Sequence, residues 1–378
     1  MKQFERIDKR DIALETPLPQ DIYDRNGVLL LKKGYLIKTQ KQLTSLFERG
    51  ASILIPEPLQ EPIPKAAPPP KIENPTPFEL IDTVYSGLSA LCLTSGSKFG
   101  FQFKIIELCK KIQLACSIST HATLGAILLR KESSYSIAHQ LHCAILCDIL
   151  LRATDHPPSE HSSLLAAALT MNIAMLKLQT ELFSKKGELS DEQKKAIKNH
   201  PQEGMERLHS NGVRDEIWLK AVLEHHEFLD GSGYPKGLEG KEITVLARML
   251  TLADVYCVKL FSRAYRLPLP PDVAAREIIT GSRGQALDQE LAKVLVKEIG
   301  IFHPGSFVRL INGEIALVTQ SGKKIHHPLV HSVIKEDGVP FPKPVRRDCS
   351  KETCSIVYSI PAHQVGIELD LKRLWGFL

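Results

Sequence analysis

The sixteen residues His225-His226-Glu227-Phe228-Leu229-Asp230-Gly231-Ser232-Gly233-Tyr234-Pro235-Lys236-Gly237-Leu238-Glu239-Gly240 decide how the chain is read. Two adjacent imidazoles and a carboxylate run directly into a loop in which Gly231 and Gly233 permit a tight backbone path before Tyr234-Pro235. A generic glycine-rich turn accounts for the loop, but not for the His-His-Glu ahead of it.

Working outward, polar residues fall on helix faces that should be buried. Trp218, Ala221, Val222 and His225 share one face at the i, i+3, i+4, i+7 spacing. Leu246, Leu250, Asp254 and Cys257 share a second, and His139, Cys143, Leu146 and Leu150 a third. Upstream, Ser190-Asp191-Glu192-Gln193 forms a capping box, and the helix it opens is expected to stop at Asn199-His200-Pro201. A buried carboxylate needs a cation, a metal or several donors. One buried histidine is more often a hydrogen-bonded core residue than a ligand. Here His139, His200, His225, His226 and Asp254 come from four helices, which is how helical bundles build metal sites.

The rest of the chain frames this region. Nine prolines lie between Pro56 and Pro77, a stretch that holds neither helix nor central strand. Before it, Asn26-Gly27 between apolar runs predicts a hairpin with both turn residues at positive φ, followed by a turn at Lys33-Gly34 and a helix from Thr39 to Glu48. After about Gly300, Asn312-Gly313 predicts another hairpin and Ser321-Gly322 a further turn. The expected architecture is mainly α, a helical bundle core flanked by a small N-terminal β-rich module and a C-terminal β-rich appendix. The expected divisions are residues 1–56 for the module, 57–77 for a linker, 78–300 for the helical domain and 301–378 for the extension.

Composition narrows the classes. With 378 residues, 48 Lys+Arg against 43 Asp+Glu, 43% hydrophobic and 24% charged residues, an ordinary folded chain is expected and nucleic acid gains no support. No run reaches the ~18 apolar residues of a membrane span, and Leu164 to Leu176 comes nearest. Met1-Lys2-Gln3-Phe4-Glu5-Arg6 leads into further charges rather than a secretion signal, and eight scattered cysteines suit a reducing interior, so a cytoplasmic protein is expected.

The loop quoted first, with His200-Pro201 upstream and Ala253-Asp254-Val255-Tyr256 and Arg263-Ala264-Tyr265-Arg266 downstream, resembles the HD-GYP family of bacterial signalling phosphodiesterases from about Phe78 to Gly300. The resemblance implies an HD-type helical fold that hydrolyses cyclic di-GMP at two or three metal ions, usually iron or manganese. It implies His139, His200, His225, His226 and Asp254 as metal ligands, and Arg263, Arg266 and Lys236 as substrate contacts. It also implies a docking loop of Gly231, Gly233, Tyr234 and Pro235 for partners such as diguanylate cyclase (GGDEF) domains.

The family's His-Asp pair falls at Met171 and Asn172, 29 and 28 residues before His200, and its phosphate-holding lysine at Met175. A neutral amide bridges two cations poorly, and a thioether is a soft ligand for iron or manganese. The expectation is therefore a catalytically impaired member that binds a nucleotide or a partner and holds at most one divalent ion. The alternative is an active phosphodiesterase with a rearranged site.

Overall fold

The computed structural model describes residues 3–6, 12, 14–55, 75–93, 100–130, 134–185, 187–261, 267–281 and 286–378. It divides into two compact units, Met1–Glu73 and Asn74–Leu378. Most of the expected proline-rich linker, and Arg263 and Arg266, lie outside the described residues.

In the first unit, β1 (Gln3–Arg6), β2 (Ile22–Tyr23), β3 (Leu29–Leu31) and β4 (Ser52–Ile55) form an antiparallel sheet in the order β1-β4-β2-β3. Helix α1 (Gln40–Glu48) begins at the Thr39 capping box and buries Leu43 and Leu46. The Asn26-Gly27 turn differs from expectation: only Gly27 takes a positive φ, of 77°. Asp24 Oδ1 accepts the Asn26 and Val28 amides, which lengthens the turn and lets Asn26 keep ordinary backbone geometry.

The second unit is a helical core carrying a sheet. Its helices are α2 (Pro77–Leu93), α3 (Phe101–Leu129), α4 (Tyr135–Ala153), α5 (Pro158–Thr170), α6 (Leu176–Ser184), α7 (Asp191–Ser210), α8 (Glu216–Glu224), α9 (Val245–Leu260), α10 (Pro271–Thr280) and α11 (Gln289–Ile299). Helix α4 is the axial element: residues 136 to 151 are all buried. Leu141, Ile145 and Leu150 of α4 share one apolar cluster with Leu165 of α5 and Leu250 of α9.

Strands β5 (Phe307–Leu310), β6 (Ile315–Gln320), β7 (Leu329–Ile334), β8 (Pro340–Asp348) and β9 (Ile356–Ile360) follow, antiparallel in the order β8-β7-β6-β5-β9. They belong to the same unit as the helices. The terminal helix α12 (Leu371–Leu374) leads to Trp375, whose indole N–H donates to Thr319 O and whose ring meets Phe78 edge-on.

Two sequence expectations are corrected here. Helix α7 does not stop at Pro201 but continues through it to Ser210. The longest apolar helix is not 164–176 but α3, the one described helix whose length and composition would suit a membrane. Its Ile105, Ile112 and Leu124 are buried in the helical core, and Ser119, at φ −161° and ψ 103°, breaks it.

Candidate metal centre

Pro201 explains a neighbour. Lacking an N–H, it leaves the Ile197 carbonyl without its usual helix partner, and His200 Nδ1 donates to that oxygen at 2.7 Å. At the end of α8 the Val222 carbonyl lies past the last helix bonds, and His225 Nδ1 donates to it at 2.6 Å. Carbonyls only accept, so both rings carry hydrogen on Nδ1 and a bare lone pair on Nε2. Those two Nε2 atoms face each other at 3.2 Å. The His226 ring lies 4.1 Å from His225 and 5.0 Å from His200, between centroids.

Burial pushes all three imidazoles toward the neutral form. His200 is lowered to about 3, His225 is lowered, and His226 lies well below the ordinary value, with burial the largest cause each time. Two neutral nitrogens presenting lone pairs to each other repel unless a cation lies between them. The donor set therefore fits a divalent metal ion, and the carbonyl-anchored Nδ1–H groups are the usual outer support for such ligands.

A second cluster adjoins the first. His139 Nε2 of α4 lies 2.7 Å from Asp254 Oδ1 of α9, and Asp254 Oδ2 lies 3.8 Å from His226 Nδ1. Cys143, one turn beyond His139, places Sγ 3.8 Å from His139 Nε2. Burial alone would push the Asp254 carboxyl up; the hydrogen bond to His139 and the nearby imidazoles outweigh it and hold it well below the usual range. Asp254 is thus an anion facing both clusters.

The segment 171–175 sits beside these clusters. Helix α5 ends at Thr170, and residues 171–175 turn through bonds from Ile173 N to Thr170 O and Met175 N to Asn172 O. Met171 is fully buried in the apolar core. Asn172 and Met175 line a cleft of about 610 Å³ that also exposes His139, His200, His226 and Asp254. Its opposite wall is aromatic: Tyr135 stacks on Phe183 at 4.4 Å and on His139 at 5.5 Å.

Glu227 is a staple for the loop. Its buried carboxylate accepts Lys236 N at 2.7 Å on one oxygen and Leu238 N at 3.0 Å on the other. A Cβ on Gly233 would fall 2.5 Å from Glu227 Cα and 2.6 Å from His226 O, so only glycine lets the loop close. Tyr234, whose amide donates to His226 O, tilts over the His226 ring at 4.8 Å.

Thus the structure brings together His139, His200, His225, His226 and Asp254. Tyr234 borders their cleft, Pro235 is exposed, and the exposed Lys236 does not line it. The lining cation is Lys259, overlooked in the sequence because it reads as an ordinary basic residue in a last helical turn; Glu277 neutralises it at 2.6 Å. The aromatic wall of Tyr135 and Phe183 was equally hidden, since α4 and α6 meet only in the fold.

Residues 126–291 match the HD domain family model. The chain is 27% identical over 237 residues to a cyclic di-GMP phosphodiesterase of Pseudomonas aeruginosa, covering 62% of this chain and 57% of that one. It is 25% identical to a cyclic di-GMP phosphodiesterase of Borreliella burgdorferi, over 64% of this chain and 61% of that one. It is 27% identical to a 3'3'-cGAMP-specific phosphodiesterase of Vibrio cholerae, over 47% and 38%. The chain spans between 38% and 61% of these relatives' lengths. Fold and site define an HD domain, of a metal-dependent phosphohydrolase class. The HD domain match and these relatives support the HD-GYP family.

Proposed function

We propose that this chain acts in signalling by binding a cyclic dinucleotide, cyclic di-GMP first among them, with phosphodiester hydrolysis impaired. The observation that carries the reading is the segment 171–175, where Met171 is buried in apolar core and Asn172 and Met175 face the cleft. By the family resemblance they stand in place of an imidazole ligand, a carboxylate bridge and a cationic phosphate clamp.

A divalent ion, iron or manganese by family resemblance, would supply charge neutralisation for a phosphate oxygen. His200, His225 and His226 would hold it, with Asp254 as the anionic partner. Tyr135 and Phe183 offer stacking faces to a purine base. Lys259 contributes little net charge to bind phosphate, because Glu277 cancels it. Arg263, Arg266 and Lys236 remain the phosphate contacts of this reading. The exposed tip at Pro235 is the docking face for diguanylate cyclase domains, and capture of such a domain should be lost when Tyr234 and Pro235 are both replaced by alanine. Eight free thiols accord with a cytoplasmic setting.

Metal analysis, calorimetry with cyclic di-GMP and a turnover assay on the purified protein test the reading together. Binding without turnover is expected. Hydrolysis that disappears in His225→Ala would overturn it in favour of an active, rearranged centre. Failure to bind would leave docking alone.

A further inference from the structure

We infer that Cys143 is a metal ligand: with His139 and Asp254 it holds a thiophilic divalent ion such as zinc. The inference rests on reading the cleft as a metal centre, and it adds a site beside the three histidines.

His139 and Cys143 stand four residues apart on α4 and therefore share a face, which looks onto Asp254 of α9. One ligand atom from each, imidazole nitrogen, thiol sulfur and carboxylate oxygen, lies within 4.8 Å of the other two. The 3.8 Å from Cys143 Sγ to His139 Nε2 is close to the ~3.5 Å edge of a tetrahedron built from zinc–sulfur and zinc–nitrogen bonds. All three residues are buried, yet His139 and Asp254 line the cleft, so an ion can enter from there and reach the sulfur 3.8 Å from His139 Nε2.

Charge favours the thiolate. With Asn172 where the family has aspartate, Asp254 is the only carboxylate lining the cleft among the described residues. A buried divalent ion beside one carboxylate and neutral imidazoles keeps an uncompensated positive charge. The thiol's sulfur–hydrogen bond breaks as the sulfur–metal bond forms, the proton leaves to solvent, and two anions then balance the ion. Thiolate also changes selectivity, drawing zinc in preference to manganese. The competing account is apolar packing, since Cys143 also touches Cys257.

Cobalt(II) titration of the metal-free full-length protein under reducing conditions decides. A near-ultraviolet thiolate-to-cobalt charge-transfer band should appear in the wild type, vanish in Cys143→Ser, and persist in Cys257→Ser. Zinc affinity should fall in Cys143→Ser by at least the ~10-fold that even an outer-shell partner costs, with manganese affinity at the histidine centre little changed. Should Cys143→Ser fail to fold, X-ray absorption of the zinc-loaded wild type replaces it, with one sulfur expected at ~2.3 Å. Cobalt binding without the band, a band surviving Cys143→Ser, or a zinc shell without sulfur overturns the inference while leaving the histidine centre standing. No cobalt binding at all overturns both.

Discussion

Replacing Glu227 by glutamine should loosen the glycine-rich loop while barely changing its shape. In the native chain both carboxylate oxygens are occupied, by Lys236 N at 2.7 Å and Leu238 N at 3.0 Å, in a residue only 1% exposed. Glutamine keeps one accepting oxygen and turns its NH₂ toward the other amide, donor against donor. One charge-assisted bond, worth about 1.5–3 kcal/mol, is lost, and a buried N–H is left unsatisfied at a further ~1–3 kcal/mol. Relaxation of the loop recovers part of this, leaving a net ~2–3 kcal/mol. At 1.4 kcal/mol per tenfold, amide exchange at Lys236 and Leu238 should quicken by roughly 30- to 150-fold. Exchange in α4 should move only as far as global stability does. Hydrogen exchange resolved at single amides measures this directly, with circular dichroism establishing that the variant is folded. Exchange at Lys236 and Leu238 within threefold of wild type would refute the staple.

Three further outcomes follow from contacts elsewhere. A Cβ on Gly125 would lie 2.8 Å from the Trp375 ring, so Gly125→Ala should cost about 1–3 kcal/mol in denaturant unfolding yet be close to neutral beside Trp375→Ala; equal costs in both backgrounds would discount the clash. Burial lowers the fully buried His303 from 6.5 to about 4. The unfolded chain therefore binds the extra proton, and stability present above pH 6.5 is lost as pH falls toward 4, a loss of roughly 3 kcal/mol at ~1.4 kcal/mol per pH unit. His303→Phe should flatten that part of the melting-temperature profile; an unchanged acid slope would count against it. Restoring Met171→His, Asn172→Asp and Met175→Lys together should raise metal content and turnover, because the new carboxylate lies near Asp254 and the pair needs a cation; unchanged metal content would refute the placement of these positions.

Local chemistry was the legible part of the sequence. The Ser190 capping box, the helix from Thr39, the two Asn-Gly hairpins and the apolar faces carrying His225 and Asp254 were readable because each depends on residues within a few positions. What depended on a partner elsewhere was not. Strand β8 holds Pro340, Pro342 and Pro344, which argue against a central strand, and only the sheet order reveals it as an edge that tolerates them. Lys259 carries no signal in the sequence, because its pairing with Glu277 exists only in the fold. Pro201 read as a terminator because the rule considers the lost N–H and not the carbonyl it releases.

That released carbonyl bears on whether the centre is a relic. His200 and His225 meet lone pair to lone pair at 3.2 Å, an arrangement that destabilises the fold when no cation lies between them. A leucine at either place would remove the repulsion. Instead each ring is fixed by a separate carbonyl, at Ile197 and Val222, and Thr251 Oγ1 donates to the His225 carbonyl at 2.9 Å. Such orientation costs free energy unless something binds where the nitrogens converge. On the proposed reading, residues 171–175 would lack the groups that bridge a metal pair and grip phosphate, while the carbonyls that orient His200 and His225 are in place.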